Sequence, residues 1–246
     1  HSRQLKNHNE GTISLNDIKN AIRKKDVHFP PSRLICLENT HNRCFGMPLE
    51  INYTNAVVDI AKNNNMSVHV DGARIFNAAV ATGSTVADLT KNVDTVSFCL
   101  SKGLSAPSGS LLCGDKNFIH RARFNRKALG GGMRQAGILA AAGIVAIDIM
   151  SEKIIEDHLN AKALAGGIAK IDGIIIETEK INTNIIYFKL DHPKVNSELL
   201  LENMGKKNIR FFELGPNWFR LVTHSGISKE NIDYVIGEFD SFFSQA

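Results

Sequence analysis

Apolar positions along this chain follow two rhythms, and the balance between them changes near residue 148. In the first part, short apolar runs of strand length alternate with stretches whose apolar residues recur every three or four positions. Ser14 stands where a helix N-cap belongs, ahead of a helical pattern over residues 15–24 with Asp17 in its first turn. Pro30 and Pro31 stop anything helical. Residues 33–38 read as a strand and residues 39–46 as a polar loop. Residues 53–64 read as a helix with Ala56, Val57 and Ile60 on one face, and residues 67–71 as a second strand. Strand, helix, strand is a βαβ unit, which demands parallel strands and a right-handed crossover. Residues 94–100 and 109–114 supply two further strands.

A long helix, broken once, is expected from Arg134 through Lys162. Within it, residues 137–147 are apolar on every side, too short and too rich in Ala and Gly to span a bilayer, and read as a tightly packed core helix. Beyond it, strands at 174–177, 185–190, 210–212 and 219–222 mix with helices at 196–206 and 229–243. That mixture predicts a small α+β domain over residues 149–246, after a larger α/β domain over residues 1–148. Residues 1–10 are polar and basic and are expected to be loose. No internal repeat or low-complexity segment interrupts the pattern.

A chain of 246 residues with 43% hydrophobic and 22% charged residues buries an ordinary globular core. A net charge of +4 is too mild to argue for nucleic acid, and no stretch argues for a membrane. The four cysteines show no CxxC spacing. They read as reduced packing residues of a cytoplasmic protein, and no metal site is expected from them.

Candidate chemistry concentrates at strand ends. Asp71 closes the run Val68-His69-Val70-Asp71, and Lys102 follows 31 positions later, just past the run ending at Leu100. A lysine amine and a carboxylate so placed are the two fixed points of a pyridoxal phosphate site. The amine forms a Schiff base with the cofactor aldehyde, and the carboxylate keeps the pyridinium nitrogen protonated. Glu38 ends the first strand, so three polar residues fall where ligands bind in parallel α/β sheets. Read singly, each has an ordinary alternative. Asp71 would be a helix N-cap, His41 a loop histidine, Arg220 an edge residue with a snorkelling stem, and His69 a satisfied core histidine. Gly130 to Gly132 would be a turn, and the basic run Arg121, Arg123, Arg126 and Lys127 a solvated helix face.

Five stretches occur in order: Glu38-Asn39-Thr40-His41-Asn42, His69 to Asn77 (HVDGARIFN), Cys99 to Leu104 (CLSKGL), Gly130 to Gln135 (GGGMRQ) and Arg220 to His224 (RLVTH). Together they resemble the low-specificity L-threonine aldolases, pyridoxal phosphate enzymes of the aspartate-aminotransferase-like fold (fold type I). The resemblance implies an α/β fold: the remainder of a large cofactor-binding domain, mostly parallel sheet with helices, then the small α+β domain. In that family a segment upstream of residue 1 supplies the phosphate-binding turn and a histidine stacked on the ring. The chain alone is therefore expected to bind the cofactor weakly and to expose apolar sheet surface.

The resemblance implies retro-aldol cleavage of a β-hydroxy-α-amino acid, threonine or allo-threonine, into glycine and acetaldehyde, a step of threonine catabolism and glycine biosynthesis. Lys102 would be the Schiff-base lysine and Asp71 the pyridinium partner. Arg220 and Arg74 would hold the substrate carboxylate or cofactor oxygens, as planar guanidinium forks do. His41 would stand near the substrate β-hydroxyl, as base or as holder of a water. Lys127 and Arg134 would reach a neighbouring subunit's active site, making a homo-oligomer, a dimer or tetramer. The alternatives are a related lyase acting on another β-substituted amino acid, and a non-catalytic segment that binds no cofactor.

Overall fold

The computed structural model describes residues 1–245. The described residues divide into two compact units, one of residues 1–44 and 48–152, the other of residues 45–47 and 153–245.

In the first unit, α1 (Leu15–Ala21) begins where Ser14 accepts the N–H of Asp17. It ends three residues before the sequence pattern suggests, and an isolated antiparallel β-bridge between Asn7 and Ile13 gives part of the basic N-terminal stretch a fixed course. The sheet is built from β1 (Leu34–Glu38), β2 (Ser67–Asp71), β3 (Thr95–Cys99) and β4 (Ser110–Gly114), in that spatial order. β1, β2 and β3 are parallel and β4 is antiparallel. α2 (Ile51–Asn63) is the crossover of the expected βαβ unit; α3 (Ile75–Thr82) and α4 (Val86–Thr90) connect β2 to β3. Each has a local reason to stop or start. α3 ends on Gly83 at φ +64, and α4 opens with a capping box between Thr85 and Asp88. Val57, Val68, Ile75 and Ala78 are fully or almost fully enclosed between α2, α3 and the sheet. Each of the valines and the isoleucine contributes about 1.5–3 kcal/mol on leaving water.

α5 (Lys116–Ala128) follows β4, and α6 (Gly137–Asp148) follows the glycine triplet. Here the structure departs from the pattern-based reading. α6 buries only Gly143 and Ala146, and Ile138, Ile144, Val145 and Ile149 stand exposed. Gly143 lies close to Leu100, where a Cβ would come within 3.0 Å of Leu100 Cδ1. An all-apolar helix carries no signal of which face packs, so composition overstated its burial. The cysteines differ too. All four are free thiols; Cys36 on β1 and Cys113 on β4 are exposed, and Cys44 and Cys99 are half-buried.

The second unit carries an antiparallel sheet of order β5 (Ile174–Ile175), β6 (Ile185–Leu190), β8 (Trp218–Val222) and β7 (Phe212–Gly215). α7 (Ile154–Ile168), α8 (Ser197–Lys206) and α9 (Lys229–Ser244) complete it. Between α6 and α7 the helix breaks once, through a 3-10 turn at Met150–Lys153. β7 starts two residues later than the pattern suggests, since Phe211 is already buried in the core. That core is aromatic: Phe188 stacks on Phe219 at 4.9 Å, and Phe211 and Phe239 close around them.

Candidate active site

The C-terminal ends of β1, β2 and β3 converge, because parallel strands all deliver their last residues to one edge. Glu38 and Asp71 are register partners at the ends of β1 and β2, and Asp71 in turn lies opposite Ser97 of β3. The main chain continues the ladder: the Asn39 N–H donates to the Asp71 carbonyl at 2.8 Å, and the Gly72 N–H to the Ser97 carbonyl at 2.7 Å. Position 72 must lack a side chain, because a Cβ there would fall 2.9 Å from that same carbonyl oxygen.

Asp71 is exposed, and its Oδ1 accepts the Ala73 N–H at 3.1 Å. It does not cap α3, whose N-cap is Arg74 with no side-chain bond, so the helix-cap alternative does not hold. Lys102 is exposed on the loop after β3, in a turn closed by Ser105 N–H to the Lys102 carbonyl at 2.9 Å. It makes no ion pair among the described residues. An exposed primary amine past the end of β3 and an exposed carboxylate at the end of β2 thus belong to adjacent strands. Burial first, and the Asp71 charge second, push the Cys36 thiol up from its ordinary value.

The loop after β1 adds the remaining groups. Asn39 holds it in place, accepting the Leu49 N–H at 3.0 Å. The Asn42 N–H donates to Glu38 Oε1 at 2.9 Å, and Arg74 Nη1 donates to Asn42 Oδ1 at 3.4 Å. His41 Nε2 lies 3.5 Å from Glu38 Oε2. Glu38, His41, Asp71 and Cys36 also line one wall of a cavity of about 890 Å³. His69, one turn of the pleat below Asp71, is occupied by Thr95 Oγ1 at 2.8 Å and is a structural residue.

The structure therefore brings His41, Asp71, Arg74 and Lys102 to one edge of the first sheet. Glu38 joins them through His41 and Asn42; its place at a strand end and in the stretch Glu38 to Asn42 were its sequence signals, with no role assigned to it. Arg220 stands in the second unit, half-buried on β8. Its strand is interior to that sheet, paired to β6 through Tyr187 and to β7 through Phe212, so it is not an edge residue. Lys127, at the end of α5, and Arg134 are exposed and make no hydrogen bond or ion pair to the cluster. Gly130 takes φ +86 just past the α5 C-cap, so the triplet terminates a helix. No group of three or more His, Cys, Asp or Glu able to hold a metal ion occurs among the described residues. No helix among them is long and apolar enough to cross a membrane.

A sheet with polar groups gathered at its parallel strand ends defines an α/β enzyme scaffold, here the fold-type-I arrangement expected from the sequence. It is shared with a threonine aldolase from Leishmania major (TM-score 0.78, 16% identity, 96% of this chain and 69% of that one). It is shared also with a putative L-allo-threonine aldolase from Listeria monocytogenes (TM-score 0.76, 16% identity, 94% of this chain and 65% of that one). Residues 1–191 match the beta-eliminating lyases. The chain is 40% identical, over 99% of its length, to a probable low-specificity L-threonine aldolase 2 from Arabidopsis thaliana, and spans 69% of that relative. The chain belongs to the beta-eliminating lyase family, on its low-specificity L-threonine aldolase branch.

Proposed function

We propose that this chain supplies a pyridoxal phosphate-dependent lyase with its reactive groups, cleaving threonine or allo-threonine to glycine and acetaldehyde. The observation that carries the reading is an exposed Lys102 amine past the end of β3 and an exposed Asp71 carboxylate at the end of the adjacent β2. This pair fits the cofactor: an unpaired amine suits its aldehyde and an accepting carboxylate suits its ring nitrogen. Gly103 supports the fit, since its backbone lies against Asn77 and fixes the course of the chain beside Lys102. Bound there, pyridoxal phosphate supplies an electron sink for the carbon released by bond cleavage.

The chain's own residues do the rest. Lys102 would hold the cofactor through its amine. Asp71 keeps a positive charge on the ring nitrogen. By the family resemblance, Arg74 and Arg220 would each serve the substrate carboxylate or cofactor oxygens, as planar guanidinium forks do. His41 meets the β-hydroxyl, whose proton must leave as the aldehyde forms. Lys127 and Arg134 extend to a second subunit in a homodimer or homotetramer. The reaction serves threonine catabolism and glycine biosynthesis in the cytoplasm.

Titration with pyridoxal phosphate, followed by visible absorbance, tests the reading, with Lys102→Ala as control. The expected result is a yellow band in the wild type alone, and acetaldehyde released from threonine. A band of equal strength in both proteins removes Lys102 from its role. Cofactor binding without acetaldehyde moves the substrate to another β-substituted amino acid. No band in either marks the chain as a segment that binds no cofactor by itself.

A further inference from the structure

Glu38 uses its two carboxylate oxygens differently. Oε1 accepts the Asn42 N–H at 2.9 Å and so closes the turn that carries His41. Oε2 lies 3.5 Å from Nε2 of the His41 ring. The ring's other nitrogen, Nδ1, is buried and meets no hydrogen-bond partner. Above the ring stem sits Gly11, buried at φ +80, where a Cβ would fall 2.8 Å from His41 Cβ and 3.5 Å from Cγ. The imidazole is thus gripped between a carboxylate and a bare backbone.

A neutral imidazole carries one proton, on either nitrogen, and its neighbours decide which. Nδ1 meets no partner in either tautomer, so Nε2 decides, where a lone pair would confront the negative charge of Glu38. A proton on Nε2 faces the Glu38 carboxylate. We infer that Glu38 is the positioning residue of His41: it orients the ring and holds its proton on Nε2, leaving the lone pair on Nδ1. The orientation stands on geometry alone, whereas its consequence for cleavage rests on the function proposed above. Glu38 acts through His41 and is itself not a catalytic residue.

Nitrogen-15 spectra of the histidine rings in the full chain read the tautomer directly, with or without cofactor. The other eight histidines serve as an internal check that the fold is intact. Wild-type His41 is expected in the Nε2–H form. Glu38→Gln, which keeps an acceptor oxygen, is expected to retain it, and Glu38→Ala to shift His41 toward Nδ1–H or a mixture. A wild-type His41 protonated on Nδ1 overturns the inference without any variant, as does an unchanged tautomer in Glu38→Ala. In the cofactor-loaded enzyme, Glu38→Ala is expected to lower kcat for threonine cleavage by about 10- to 100-fold. KM should move little, and Glu38→Gln should restore most of the rate. A tautomer shift with unchanged kcat supports the positioning role and overturns the place given to His41 in the reaction.

Discussion

The backbone at Gly103 lies directly on Asn77: a Cβ at that glycine would fall 2.7 Å from Asn77 Oδ1. Asn77 is buried on α3, the helix that starts just beyond Asp71, so the loop bearing Lys102 is seated on the element that Asp71 leads into. Gly103→Ala is therefore expected to displace that loop rather than Asn77, at a cost of about 1–3 kcal/mol. Denaturant unfolding measures the loss. Weaker cofactor binding in the same variant would show that the displacement reaches Lys102.

Asp71→Asn keeps an oxygen for the Ala73 N–H, the one hydrogen bond that the carboxylate accepts. Stability should change by less than about 0.5 kcal/mol at this exposed position. Turnover should fall on the order of 100- to 1,000-fold, because the charge that keeps the ring nitrogen protonated is gone. An active Asp71→Asn enzyme would remove Asp71 from the role proposed for it.

Asp157 and His158 are adjacent on α7, buried, and shifted in opposite senses. Burial raises the Asp157 carboxyl to about 6, against the pull of His224, and burial lowers His158 to about 4. The folded state thus binds more protons than the unfolded one at Asp157, and fewer at His158. Acidification from pH 6.5 to 4 favours the fold through Asp157 and opposes it through His158, so the two offset. Asp157→Asn should make stability fall as the pH drops through that window. His158→Gln should make it rise. Unfolding midpoints at four pH values between 4 and 7 decide both, and a flat profile in either variant would refute the shift assigned to the remaining group.

Phe188 has no exposed surface, stacks on Phe219 at 4.9 Å, and meets Phe211 and Phe239 at its edges. Phe188→Ala should cost about 3–5 kcal/mol, because three rings would face the cavity. Thermal or denaturant unfolding checks it, and a loss below about 1 kcal/mol would mean that the core repacks.

Much of the fold was legible because its signals are local. Alternating and helical spacing set β2 at Ser67–Asp71 and β6 at Ile185–Leu190 to the residue, and Ser14 marked the start of α1. The boundary of β7 slipped because Phe211 and Phe212 look alike in sequence and differ only in what lies above them. The burial of α6 was misjudged for the same reason: Ile138 and Ala146 are both apolar, and only neighbours decide that one is exposed and the other enclosed.

The site divides along the same line. The sequence alone determined which candidate groups the chain carries, since Lys102, Asp71, His41 and the two arginines are fixed by residue type and order along the chain. Only the tertiary structure decided which of them share an edge. It joined Glu38 to His41, seated Gly103 on Asn77, and put Arg220 on an interior strand of the second sheet. Residue type and local spacing are written in neighbouring positions, whereas register, burial and side-chain pairing arise between residues far apart in the chain. Those relations exist only once the strands have paired.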